Sequence, residues 1–266
     1  MGIGTHSGQQ SRPYQGTPPS VHLRNIRVLI EYDGTGFAGW QQQRGLRTVE
    51  GELKRALSDL TGGDVTVYGA GRTDAGAHAE GQVANFRYAG SLAPARLAAA
   101  LNARLPRDLA ILSAEQAPED FHARFSARWR RYRYRYLDRP VRPALDRGRC
   151  WHVRHELDVA AMQAAAACLV GGHDWTTFCA ASEPPGDRVR VMQSAGVERK
   201  GRFVDLELVG EGFLRGLVRG IAGGLRDVGT HRRSVDWFVE ALEAEDRSLA
   251  APTAPARGLT LVEVVY

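Results

Sequence analysis

The apolar residues of this chain alternate between strand and helix spacing in one repeated order, and that order constrains the fold more than any other feature. IRVLIEY (26–32) reads as a strand. Thr48 is placed to cap a helix whose Val49, Leu53, Leu57 and Leu60 share one side, with Gly62-Gly63 to end it. VTVY (65–68) and QVANFRY (82–88) are strands, Ser91 precedes a helix carrying Leu97, Leu101 and Leu105 up to Pro106, and LAILSAE (109–115) is a strand. The order β-α-β-β-α-β is that of the ferredoxin-like split unit. The remainder repeats the plan. RYRYRYL (131–137) is a strand with a short extra one at 150–153, and Asp158 caps a helix ended by Gly171-Gly172. Residues 189–209 form a hairpin, 213–229 a helix, Ser234 starts another, and LTLVEVVY (259–266) is a final strand. The expectation is an α+β chain of two ferredoxin-like halves, 24–118 and 119–266. Placed side by side they make a mostly antiparallel sheet with helices on one face and a central cleft. Residues 1–23 are rich in Gly, Pro, Ser and Gln, have no charged start followed by an apolar core, and read as a disordered tail.

Composition excludes several classes. No run approaches the roughly 20 apolar residues of a membrane span. Cys150, Cys168 and Cys179 are too few and too scattered for a disulfide framework, so a reducing cytoplasm is the simplest compartment. The net charge of +5 is unevenly spread: Arg124 to Arg154 holds 11 Arg against Asp138 and Asp146. GC-rich codon usage accounts for much of the arginine, since only Lys54 and Lys200 are lysine. The concentration in one segment points to a phosphate-rich partner.

VTVYGAGRTDAGAHAEG (65–81) is the most pointed stretch. It fails as a dinucleotide fingerprint, because Asp74 stands where the third glycine belongs and a carboxylate there repels pyrophosphate. It also lacks the Gly-Lys-Ser/Thr of a P-loop. Two readings remain open: a turn stabilised by Thr73 and Asp74, or a carboxylate on a glycine-shaped loop whose small neighbours admit a bulky substrate. A guanidinium nearby favours the charged carboxylate, which suits nucleophilic attack and not proton donation. His78, just beyond, reads as a loop hydrogen-bonding residue. No zinc spacing and no G-x-S-x-G elbow occurs.

Arg131-Tyr132-Arg133-Tyr134-Arg135-Tyr136 alternates, so a strand puts the three Tyr on one face and the three Arg on the other. Tyr in the core and Arg in solvent is one reading; rings on bases and Arg on phosphates is the other. Arg124, Arg128 and Arg130 extend the basic track. In 213–229, Arg215 and Arg219 are four apart and would share a helix face. Gly216, Gly220, Gly223 and Gly224 each cost about 1 kcal/mol in a helix interior relative to Ala. They therefore mark close approach by another backbone or a ligand, with an Arg projecting into the cleft.

YDGTGFAGWQQQ (32–43), AGRTDAGAHAEGQVANF (70–86), LNARLP (101–106), DFHARFSARWRRYRYRY (120–136), GGHDWTTF (171–178) and FLRGLVRGIAGGL (213–225) together resemble the TruA-type tRNA pseudouridine synthases over about residues 26–266. The resemblance implies isomerisation of uridine to pseudouridine at positions 38–40 of the tRNA anticodon stem-loop, without metal or other cofactor, by a homodimer that tRNA bridges. It implies a nucleophile at Asp74, an extrusion-assisting residue at Arg72, a base-stacking ring at Tyr132 and a partner for the carboxylate at Arg219. Arg124, Arg131, Arg133 and Arg135 are expected to attract phosphate more generally. Rival readings are a non-catalytic RNA-binding protein and a glycosidase using Asp74, although no second carboxylate stands at a recognisable partner position.

Overall fold

Thr48, Asp158 and Ser234 each accept a backbone N–H from the first turn of the helix that follows, so three helix starts are set by side chains one residue ahead of them. The computed structural model describes Met1 and residues 23–184 and 186–266; the tail read at 1–23 lies, apart from its two ends, outside the described residues. The strands are β1 (Arg24–Tyr32), β2 (Val67–Gly69), β3 (His78–Tyr88), β4 (Leu109–Gln116), β5 (Trp129–Asp138), β6 (Trp151–Val153), β7 (Gly171–Asp174), β8 (Val189–Lys200), β9 (Phe203–Gly210) and β10 (Leu259–Val265). The α-helices are α1 (Val49–Thr61), α2 (Pro94–Asn102), α3 (Val159–Ala167), α4 (Leu217–Gly229) and α5 (Val235–Glu243).

All ten strands join one sheet in the order β4-β1-β3-β10-β5-β9-β8-β7, with β2 on β3 and β6 on β5. Pairing is antiparallel except at β3–β10 and β5–β6. The C-terminal strand is thus the bridge: it pairs along β5 on one side and meets β3 at Thr260↔His78 and Leu261↔Ala79 on the other. No helix among the described residues is long and apolar enough to cross a membrane.

The Arg/Tyr alternation in β5 resolves in favour of the core for its rings. Tyr132, Tyr134 and Tyr136 are buried. Tyr134 donates to Pro255 O and Tyr136 to Ala222 O of α4, both at 2.8 Å, so the polar tips of two core rings are satisfied by backbone. On the opposite face each Arg meets a carboxylate: Arg131 with Glu263 at 3.2 Å, Arg133 with Glu80, and Arg135 with the buried Asp205 through two bonds of 2.7 Å. Tyr136→Phe should lower stability by about 1 kcal/mol, the net worth of one intramolecular hydrogen bond. A lower urea midpoint at unchanged m-value checks this.

Three local expectations shift. α4 starts at Leu217, not Phe213, because Gly216 takes φ +72°, a left-handed conformation that interrupts the helix and lets Ala180 N–H bond Arg215 O at 2.7 Å. Arg215 therefore precedes the helix and shares no helix face with Arg219. Gly171-Gly172 opens β7 instead of ending α3. β3 begins at His78, four residues earlier than its apolar pattern suggests. The close approach inferred from the α4 glycines is present: a Cβ on Gly220 would lie 2.1 Å from Phe178 O, and one on Gly223 2.2 Å from Pro252 O.

Candidate active site

β2 and β3 are antiparallel neighbours, and the chain between them carries Gly69 to Ala77 as a loop held at almost every residue. Ala70 N–H bonds Val83 O at 2.8 Å, and the fully buried Gln82 donates to Gly71 O at 2.8 Å. Thr73 Oγ1 lies 2.7 Å from the Tyr32 hydroxyl, while its carbonyl accepts from Trp40 N–H at 3.1 Å. Ala77 N–H closes a turn on Asp74 O at 3.1 Å, and Gly76 N–H bonds Phe37 O at 3.2 Å. The YDGTGFAGW segment is thus the outer wall that fixes the loop. Two side chains in it are left for other work, Arg72 and Asp74.

Asp74 Oδ2 accepts from Arg219 Nη1 at 2.7 Å, and Arg219 Nε donates to Ala254 O at 2.7 Å. Arg219 sits in the first turn of α4, aimed by the left-handed Gly216. The pair is neither sunk nor free: the carboxylate is 22% exposed and the guanidinium 24%. Oδ1 of Asp74 makes no hydrogen bond among the described residues and faces the open side.

Tyr132 closes the same corner. Its hydroxyl abuts Gly71, where an added Cβ would lie 3.4 Å away, and its ring meets Phe213 edge-on with centroids 4.8 Å apart. Burial pushes the Tyr132 phenol up to about 12; Arg130 opposes that rise and Asp74 adds to it. Arg72 is exposed and makes no ion pair among the described residues. Arg124 is exposed too, whereas Arg131, Arg133 and Arg135 are held by the carboxylates named above. His78 is buried, with Nδ1 accepting from Gly34 N–H at 3.0 Å and Nε2 at 2.8 Å from Gly148 O. Among the described residues no three His, Cys, Asp or Glu side chains gather as a metal would need.

A family model described as tRNA pseudouridine synthase matches residues 28–126 and 165–266. Curated relatives extend the similarity across the interval between. The tRNA pseudouridine synthase A of Acetivibrio thermocellus is 41% identical over 244 residues, covering 92% of this chain and all of the relative. That of Caulobacter vibrioides is 45% identical over 249 residues, 92% of this chain and 99% of its own, and that of Brevibacillus brevis 43% over 244 residues, 92% and 100%. The chain belongs to the tRNA pseudouridine synthase family.

The family is one of isomerases acting in tRNA processing and pseudouridine synthesis. Asp74, Arg72 and Arg219 of this tRNA pseudouridine synthase lie within the two matched stretches, Tyr132 in the interval between them. One residue of the site escaped the sequence reading. Arg130 belongs by sequence to the basic track upstream of Arg131, yet it is 8% exposed and has no carboxylate partner among the described residues. Its guanidinium donates to Ala70 O at 3.1 Å, to Arg124 O at 2.7 Å and to Glu211 O. It thereby ties the Asp74 loop to the segments before β5 and after β9. The signal was present in β5 itself: Arg130 has the parity of Tyr132, Tyr134 and Tyr136, hence the buried face.

Proposed function

We propose that this tRNA pseudouridine synthase converts uridine to pseudouridine at positions 38, 39 and 40 of the anticodon stem-loop, with Asp74 as nucleophile and no cofactor. The observation that carries the reading is the Asp74–Arg219 pair at 2.7 Å, with Oδ2 held and Oδ1 open beside a buried aromatic ring. A carboxylate oriented through one oxygen presents the other to a substrate without reorganisation. In the reaction the N1–C1′ bond breaks, the base turns, a C5–C1′ bond forms, N1 gains a proton and C5 loses one. Electrons balance within the nucleoside, so neither redox chemistry nor an energy source is called for.

The uridine must leave its stack first, at a cost of a few kcal/mol. Tyr132 stacks on the extruded base, and exposed Arg72 fills the space it vacates. With its phenol raised to about 12 by burial, Tyr132 is neutral in the resting site, and its ring is what it offers the base. Tyr132→Phe should therefore leave the shape of the kcat pH profile unchanged between about pH 6 and 10. Tyr132→Ala should lose activity at every pH. The same raised phenol has a thermodynamic sign: above about pH 10 the unfolded chain releases this proton while the folded chain holds it until about 12, so stability falls as pH rises through that window. Burial raises the phenols of Tyr32, Tyr134, Tyr136 and Tyr266 as well, so Tyr132→Phe should lose only part of the alkaline sensitivity, read by urea melts between about pH 9 and 11 against the wild type.

The strand order supports two ferredoxin-like halves, 24–118 and 119–266. In each half the fourth strand lies beside the first, then the third, then the second: β4-β1-β3-β2, and β10-β5-β9-β8. The site lies between them, the loop after β2 supplying Asp74 and α4 supplying Arg219. A homodimer bridged by tRNA and a cytoplasmic location follow from the resemblance. The function is tested by release of tritium from tRNA carrying 5-tritiated uridine. Release with pseudouridine as product is expected; release of free uracil would make the chain a glycosidase.

A further inference from the structure

Beyond Asp74, Tyr132 and the ion-paired arginines of β5, the molecule carries an aromatic group that the site does not use. Tyr68 of β2 and Phe125 flank His122, with ring centroids 4.7 Å and 4.5 Å from the imidazole. Tyr68 is 43% exposed and Phe125 77% exposed. An exposed phenylalanine is ordinary in isolation; three rings in contact, tilted by 44° and 36° and ending in one 77% exposed, are not. The backbone that presents Phe125 is fixed. His122 Nδ1 accepts the N–H of Arg124 at 3.1 Å and of Phe125 at 3.4 Å, and Ser126 returns its N–H to His122 O at 2.9 Å. The ring thus stands in solvent on a pre-organised turn and loses little freedom when something covers it.

Charge identifies the occupant. The Arg124 guanidinium lies 5.7 Å from the centroid of the Phe125 ring, and neither Arg124 nor Arg72 makes an ion pair among the described residues. Arg124 is the cation beside the ring, and Arg72 lies in the loop that continues from the strand bearing Tyr68. Tyr68 precedes Arg72 by four residues, and Arg124 O shares the Arg130 guanidinium with Ala70 O of the Asp74 loop. An exposed aromatic ring beside an unpaired guanidinium suits a nucleobase with its phosphate, not an apolar peptide. We propose that Phe125, backed by His122 and Tyr68, is a stacking platform for an unpaired base of the substrate RNA, one other than the uridine at Asp74. The proposal rests on the function above and adds a second base-binding site to the one at Asp74.

The test is equilibrium binding of an unmodified tRNA transcript to the full chain, with tritium release and solution mass measured on the same preparations. Phe125→Ala and Phe125→Leu should each weaken binding about tenfold, within the range for loss of one base–aromatic stack, and Phe125→Trp should restore it. The slope of log K against log salt should stay at the wild-type value in all three and fall by about one in Arg124→Gln. Phe125 is exposed, so thermal melts should match the wild type. Wild-type affinity in Phe125→Ala or in Phe125→Leu overturns the platform. So does a change of solution mass in any Phe125 variant, which would make the ring a contact between copies of the chain. The two readings fail separately: if the wild type releases no tritium the proposed function falls while the binding series still reads the platform, and if it does while Phe125→Ala binds normally only the platform falls.

Discussion

Asp74→Asn is expected to lower single-turnover pseudouridine formation by at least about 10^4-fold, the scale of losing a group at the centre of a covalent mechanism. The substitution is chosen for what it keeps. Asn is isosteric, its side-chain oxygen can still accept from Arg219 Nη1, and the turn made by Asp74 O and Ala77 N–H uses backbone alone. The pair is about three-quarters buried, so removing its negative charge should lower stability by about 1–3 kcal/mol, which a urea melt reads, and turnover is compared below the unfolding transition. Binding of tRNA should persist, because the removed group faces the target uridine only. Rapid-quench formation of pseudouridine from pre-bound tRNA, beside an equilibrium binding curve, separates the two effects. Equal losses in binding and turnover would make Asp74 a docking residue and not the nucleophile.

The second large effect is expected at Arg130. Arg130→Met removes a buried cation from three carbonyl oxygens belonging to Ala70, Arg124 and Glu211. Hydrogen bonds from a charged donor are the strong ones, and the abandoned carbonyls remain beneath the surface, so unfolding free energy should fall by about 3 kcal/mol. The effect on turnover should exceed what stability alone predicts. Ala70 opens the loop that ends in Asp74, and displacement of reacting groups by about 1 Å can cost about 10^2-fold. Arg130→Lys keeps one charged donor and should recover part of both losses. Urea midpoints and kcat at saturating tRNA, measured below the unfolding transition, report the two quantities. A variant that loses stability while keeping wild-type kcat would confine Arg130 to holding the fold.

Much of the fold was legible because its signals are local. Thr48, Asp158 and Ser234 announce their helices one residue ahead, and the Tyr/Arg alternation dictates which side of β5 is core. What stayed hidden depends on contacts far apart in the chain. The apolar period continues smoothly from Phe213 into α4, and nothing nearby shows that Gly216 turns left-handed to let Arg215 O meet Ala180. β3 starts at His78 because β10, some 180 residues later, pairs with it there. The site divides in the same way. Asp74, Arg72, Tyr132 and Arg219 are candidates by their motifs; the structure joins Asp74 to Arg219 at 2.7 Å across 145 residues of sequence and leaves Arg72 exposed. Arg130 was hidden by its neighbours: in a run of five arginines within eight residues, charge drew attention to solvent while strand parity pointed inward.

The central claim is that the open oxygen of Asp74, steadied by Arg219, rearranges a uridine in the anticodon stem-loop. The most direct test uses tRNA with 5-tritiated uridine confined to positions 38–40, incubated with wild type and with Asp74→Asn. The account predicts tritium in water from the wild type, pseudouridine left at those positions, and no release from the variant although it binds the same RNA. Release by Asp74→Asn at a rate comparable to the wild type would contradict it.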